Sequence, residues 1–509
     1  MSETKNISGK PNEGKGSGLN ASANAANAGN DATAAKAEDA KARKQAGKTA
    51  QIPSASEVNG TKATGSTASG AKTTESKVFK NDPWYGSYAA RADNMRASEI
   101  RALFATASRP DVVSLAGGMP YLEYLPFKEL SQLIAKMLVD KGDVAWQYGS
   151  AQGDPHLRED VLQIMELEGI TDVQPDDVVI SNGSQNAIDL VTRIMCDPGD
   201  VVIAEAPNYV GALGVFSSFQ VDVVNAQTDK DGLIPESFEE TIKAQLASGK
   251  KVKFLYTVPN FHNPAGVTMS VERRPRIIEI ARKYHVLIVE DNPYGLLGFD
   301  GQTYPALRSM DAENVVYLSS FSKIIAPGMR IAWIVAPPGI RKKLILANEA
   351  SILCPPNMSQ MTITTYLDNF DWKHQISQYR GMYKERCDTM DAALREYLPY
   401  CSWNKPKGGF YIWLKIPEGL NSKEMLPRAI TAKVAYVAGT GFYLDGSGTH
   451  HMRLSFCYPT PDKITLGIKR LAGVMNNELK TAELFGTASA DADARHDSRT
   501  TTNKTDKKD

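Results

Sequence analysis

The 509 residues carry 58 basic and 58 acidic side chains, a formal net charge of zero, and 42% of them are hydrophobic. A neutral total gives no support to a nucleic-acid or anionic-membrane partner, each of which usually needs a basic surface. No stretch approaches the roughly 18 consecutive apolar residues of a membrane span.

The five cysteines (Cys196, Cys354, Cys387, Cys401, Cys457) are odd in number and lack CxxC spacing, and the seven histidines are dispersed. Neither a disulfide framework nor a metal site is indicated. The opening MSETKNISGK has no apolar run behind its charges, unlike a secretory signal. These features lead to the expectation of a cytoplasmic protein with reduced thiols.

Residues 1–80 are nearly all Ala, Gly, Ser, Thr, Asn and Lys. Such a segment buries too little surface to offset the entropy of ordering it and is expected to be disordered, as is the polar tail 487–509. The stretch 34–48, AAKAEDAKARKQAGK, suits a transient helix, read either as a solvated tail or as a basic nucleic-acid-binding arm.

Aromatic residues first cluster at Pro83, Trp84 and Tyr85. Beyond them five short β-branched runs read as buried strands: DVVIS (177–181), VVIAEAP (201–207), KVKFLYTVP (251–259), VLIVED (286–291) and NVVYLSS (314–320). A helix, QNAIDLVTRIM (185–195), follows the first run. Alternation of such runs with helices implies a mostly parallel sheet covered on both faces. From about Leu344 the pattern changes to a long helical region, 375–397, then the strands GGFYIWLKI (408–416) and HMRLSFCY (451–458). The expected fold class is α/β, with a smaller α+β part after the sheet.

In sheets of this kind ligands bind beyond the carboxyl ends of the strands, so chemically suggestive residues should fall there. They do. Asn182, Gly183, Ser184 and Gln185 follow the first strand, as either a phosphate cradle at a helix N-terminus or a plain tight turn. Tyr209 follows the second strand and PNFHNPAG (259–266) the third. Glu290, Asp291 and Tyr294 follow the fourth, and a carboxylate ending a buried strand is costly unless it is paired or serves a cation. Ser320, Ser322, Lys323 and Arg330 follow the fifth.

Taken in order, these motifs resemble fold-type-I enzymes dependent on pyridoxal 5'-phosphate (PLP). The likeness is to the class I/II aminotransferase family and its 2-aminoadipate, kynurenine and broad-specificity subgroup. The most specific pieces are S-F-S-K-x-x-A-P-G-x-R at 320–330 and S-L-A-G-G-x-P at 114–120, which holds Gly118. NPAG stands where NPTG is commoner.

The resemblance implies that Lys323 links the cofactor and shuttles a proton, and that Asp291 pairs with the pyridine nitrogen. It gives Asn263 and Tyr294 the phenolic oxygen, Tyr209 the ring face, and Ser184, Gln185, Ser320 and Arg330 the phosphate. Arg453 would clamp the substrate α-carboxylate, with Asn263, Gly118 and Arg101 also at the substrate. Tyr148 would reach the phosphate of a partner chain, making a homodimer with shared sites. The family's organisation implies an N-terminal arm at 81–125, a large cofactor-binding domain at 126–343 and a small C-terminal domain at 344–486.

The implied reaction is ping-pong transfer of an amino group from an amino acid (glutamate, 2-aminoadipate, aromatic or branched-chain) to a 2-oxo acid. The same residue set also serves a β-lyase or decarboxylase. It occurs too in regulators that sense PLP or an amino acid, although those carry a folded winged-helix domain for which residues 1–80 lack the periodicity.

Overall fold

The computed structural model describes residues 82–95 and 109–484. The expected disordered extension, the tail from 487 and Arg101 lie outside the described residues.

Strand β1 (Val113–Ser114) stands apart from the main sheet. That sheet is built from β2 (Val178–Ser181), β3 (Val201–Ala206), β4 (Asp222–Asp229), β5 (Gly232–Leu233), β6 (Val252–Thr257), β7 (Leu287–Asp291), β8 (Val315–Ser320) and β9 (Ala332–Val335). Its spatial order is β2-β9-β8-β7-β6-β3-β4-β5. All five runs read from the sequence become strands, and the block from β8 through β4 is parallel throughout. Strands β4 and β9 escape the sequence pattern for different reasons. The first is polar at many positions, and the second follows β8 with no α-helix between them, outside the strand–helix alternation.

Alternation along each strand sends side chains to opposite faces. Val201 and Ile203 of β3, with Leu255 and Ile288, pack under Phe238, Ile242, Ile277 and Ile280 on one face. Val202 and Ala204, with Phe254 and Val289, meet Ile188, Val191 and Phe216 on the other. Helices therefore cover both faces, which explains why these strands are mostly apolar on both sides.

Strand β9 runs antiparallel to both neighbours, and Ala332 pairs with Ser181 on one side and Ser320 on the other. The ends of β2 and β8 and the start of β9 thus share one edge. A tight return after β8 brings Arg330 back beside the Asn182-Gly183 turn. The smaller sheet has the order β10-β13-β12, from β10 (Tyr411–Lys415), β12 (Val437–Ala438) and β13 (His451–Ser455). Strand β11 (Val434–Ala435) pairs in parallel with β1, so residues near 113 join this part of the molecule. No described helix is long and apolar enough to cross a membrane.

Beneath the strand ends lies a buried polar network. Glu168 accepts from Asn292 Nδ2 at 2.8 Å and from the Tyr317 hydroxyl. Asn292 Oδ1 accepts from Asn260 at 3.0 Å, and Asn260 Oδ1 accepts from Arg274 at 2.7 Å. Burial pushes the Glu168 carboxyl up to about 8, against the opposing hydrogen bonds. Glu168→Ala should lower stability by about 2–4 kcal/mol, since it orphans two buried donors. Glu168→Gln, which keeps an acceptor and carries no charge to desolvate, should lower it by less than half as much. Paired thermal or urea unfolding measurements check this, and equal losses would show that the network does not act through hydrogen bonding.

Candidate active site

At the carboxyl edge of the sheet a cavity of about 530 Å³ opens, walled by the loops after β2, β3, β6, β7 and β8 and by residues of β10 and β13. Ser184, Gln185, Tyr209, Asn263, Asp291, Tyr294, Ser320, Lys323, Arg330, Arg453 and Gly118 all line it. Tyr148 does not; its side chain is 76% exposed elsewhere on the same chain. Arg101 lies outside the described residues.

Asp291 ends β7 with its side chain buried. Its Oδ2 accepts from the Tyr256 hydroxyl at 2.7 Å, and its buried Oδ1 has no hydrogen-bond partner among the described residues. Burial pushes this carboxyl up to about 6, against the Tyr256 hydrogen bond. An unpaired carboxylate oxygen at a cavity wall is stabilised only by a proton or a cation supplied from the cavity.

Lys323 follows β8, and its Nζ donates to the carbonyl of Gly118 at 2.9 Å. Burial holds its ammonium down to about 8, and Arg453 and Arg330 press the same way against Cys457. Arg453, on β13, donates to Asn263 Oδ1 at 2.8 Å and to the Ala116 carbonyl at 2.6 Å. Its guanidinium lies 4.3 Å from the ring centre of Tyr411. Among the described residues it has no carboxylate partner, and its Nε is unpartnered.

The other end of the cavity is built for an anion. The helix Ser184–Met195 points its N-terminus inward, Gln185 is tied to the Gly211 carbonyl at 2.7 Å, and Ser320 bonds Ser322 at 2.9 Å. Gly183 has a φ of 81°, and a Cβ there would collide with the Arg330 guanidinium, which packs directly on the backbone. Among the described residues the Arg330 side chain donates only to the Pro327 and Asn182 carbonyls, at 3.3 and 3.5 Å, leaving its fork available for an anion. A phosphate-binding end, a carboxylate with a free oxygen and a buried amine in one cavity fit PLP.

Beneath Asn263, His262 Nε2 lies 3.3 Å from Glu205 Oε2, and that carboxylate also accepts from the Val258 amide at 2.8 Å. The segment at 115–121 closes the cavity, with Leu115 and Ala116 buried in the core and a series of hydrogen bonds to its backbone. Ser455 N, Arg453, Lys323 and the Cys457 thiol donate to the carbonyls of Leu115, Ala116, Gly118 and Met119, and Tyr121 N donates to the Tyr383 hydroxyl.

Sequence reasoning missed Tyr256, Tyr411 and Cys457. Tyr411 could have been suspected from its place after Gly408-Gly409. Tyr256 sits inside a run that reads only as a strand, and nothing local marks it.

The sequence profile described as aminotransferase class I and II matches residues 110–471. An aromatic-amino-acid aminotransferase of Thermococcus litoralis is 38% identical over 395 residues, which is 77% of this chain and 95% of that protein. The crystal structure of Pyrococcus horikoshii kynurenine aminotransferase, in complex with PMP, superposes with a TM-score of 0.73 at 40% identity and covers 77% of this chain and 97% of its own. That of Thermus thermophilus α-aminoadipate aminotransferase, complexed with N-(5'-phosphopyridoxyl)-L-leucine, gives 0.73 at 31% identity, covering 78% and 99%. With the strand order, the cavity and the match over most of its length in agreement, the chain belongs to the aminotransferase class I and II family.

Proposed function

We propose that this chain exchanges amino groups between amino acids and 2-oxo acids, with PLP as cofactor, in a homodimer. The observation that carries the reading is Arg453, a buried cation with no carboxylate partner that opens onto the same cavity as the buried amine of Lys323. A 2-carboxylate on substrate and product alike would supply the missing partner. One clamp therefore serves both halves of a ping-pong exchange.

When bound, PLP supplies the electron sink that makes a proton on the substrate Cα removable. Lys323 would link the cofactor and move that proton, a role suited to an amine that burial holds down to about 8. Asp291 Oδ1 holds the counter-charge for a protonated ring nitrogen. Ser184, Gln185, Ser320 and Arg330 hold the phosphate, Asn263 and Tyr294 the phenolic oxygen, and Tyr209 the ring face. The described lining offers no cation beyond Lys323, Arg330 and Arg453, and includes Met119, Pro120, Val210 and Val258. That wall suits an aromatic or aliphatic substrate side chain, and an acidic one would depend on Arg101. Supporting a dimer, Val139, Val144, Trp146 and Tyr148 are all at least half exposed around one helix end, an apolar surface that a second copy would cover. The five free cysteines suit the reducing cytoplasm.

Spectroscopy, kinetics and sedimentation test this. The absorbance of the bound cofactor should shift to that of the pyridoxamine form on adding glutamate in the wild type and not in Lys323→Ala. In wild-type protein freed of cofactor, the rate of PLP uptake should rise about tenfold per pH unit below 8 and flatten above it, because the neutral amine is the reactive form. A rise continuing to pH 10 would mean an ordinary lysine. Arg453→Lys should lower kcat/KM by about a hundredfold for every 2-carboxylated substrate through loss of the bidentate clamp. Arg101→Ala should lower it only for acidic ones, and a uniform loss from Arg101→Ala would contradict the specificity assignment. Sedimentation should show a dimer, with Tyr148→Phe weakening PLP retention but not dimerisation; a fully active monomer would refute the shared site.

A further inference from the structure

Away from the cavity, two helices bring three ligand-type side chains together. His156 and Asp160 lie one turn apart on Pro155–Glu166, and Asp368 projects from Asn357–Asn369. His156 Nε2 is 3.7 Å from Asp160 Oδ1 and 3.2 Å from Asp368 Oδ1, and all three donor atoms fall within 4.8 Å of one another. A tetrahedral ion with metal–ligand bonds of about 2.0–2.2 Å separates its donors by about 3.3–3.6 Å. The two measured separations lie either side of that interval.

Asp160 is the second, independent observation. Its side chain is 9% exposed, yet its Oδ2 has no hydrogen-bond partner among the described residues. Among the described residues neither Asp160 nor Asp368 pairs with a lysine or arginine. A protonated His156 would still leave the group net negative. A buried carboxylate oxygen with no partner, beside a second carboxylate, calls for a proton or a cation, and one divalent ion would serve both groups at once.

We propose that His156, Asp160 and Asp368 form a site for a first-row divalent cation, Zn²⁺ by donor type, with water completing the shell. One imidazole with two carboxylates suits that ion better than Ca²⁺ or Mg²⁺, which favour all-oxygen shells. The ion braces a junction that matters to the active site. Asn357 Nδ2 donates to the Gln147 carbonyl at 2.9 Å, Gln360 Oε1 accepts from the Asp154 amide at 2.7 Å, and Asp154 caps the first helix through Leu157 N at 2.9 Å. The loop bearing Tyr148 thus hangs between the two helices the ion would join.

The test uses PLP-loaded enzyme stripped with a chelator, titrated with Zn²⁺ by calorimetry and with Co²⁺ by visible absorption. One ion per chain should bind, with Co²⁺ bands of low-coordinate N/O type and a higher melting temperature. His156→Ala and Asp368→Asn, both on exposed side chains, should each weaken binding at least about tenfold. Metal-free melting temperature and transaminase activity should stay unchanged in both. No saturable binding by the wild type, or binding that survives both substitutions, overturns the site.

Discussion

The constraint behind this structure is the removal of unmatched charge from water. One cavity holds a carboxylate with a bare oxygen, a buried amine and a buried guanidinium with no acid, and each is unfavourable where it stands. None could persist on a loose scaffold, which would relax until the charges paired or reached solvent. The parallel sheet prevents this by fixing the backbone from which each group departs. The network of Glu168, Asn292, Asn260 and Arg274 then holds the loops just beyond it. Stability is given up at the cavity and recovered in the layer below.

The same arrangement explains why the closing segment at 115–121 is held by its carbonyls. Lys323 and Arg453 lack side-chain acids, and the carbonyls of Gly118 and Ala116 give them neutral acceptors. A neutral acceptor solvates a cation without fixing it as firmly as a carboxylate would, so the donor stays exchangeable. The cavity thereby keeps its cations ready for an incoming anion.

Most of the parallel sheet was legible because its strands are buried on both faces and so appear as short runs rich in β-branched and aromatic residues. The residues at their ends followed from the rule about carboxyl edges, and the resemblance added their roles. Strand β9 was not legible, although its antiparallel return is what brings Arg330 to Gly183, because it follows β8 with no α-helix between them and so breaks the strand–helix alternation. Tyr256 and the His156–Asp160–Asp368 group stayed hidden for a deeper reason. Their meaning is created by contacts between elements far apart in the chain, and local spacing cannot encode those. Tyr148 is an intermediate case: its role rests on the resemblance, and one chain leaves it exposed.

The fit of Gly118 against Tyr411 has a consequence for how this protein can change over generations. A methyl at residue 118 would overlap the Tyr411 hydroxyl, and even the ring carbon bearing it would be 3.2 Å away. Alanine at 118 is therefore closed while tyrosine occupies 411, and trimming 411 to phenylalanine only partly opens it. A lineage that enlarges the segment over the cavity must first shrink the aromatic under Arg453. The reverse order passes through a misshapen site, so the history of these two positions runs in one direction.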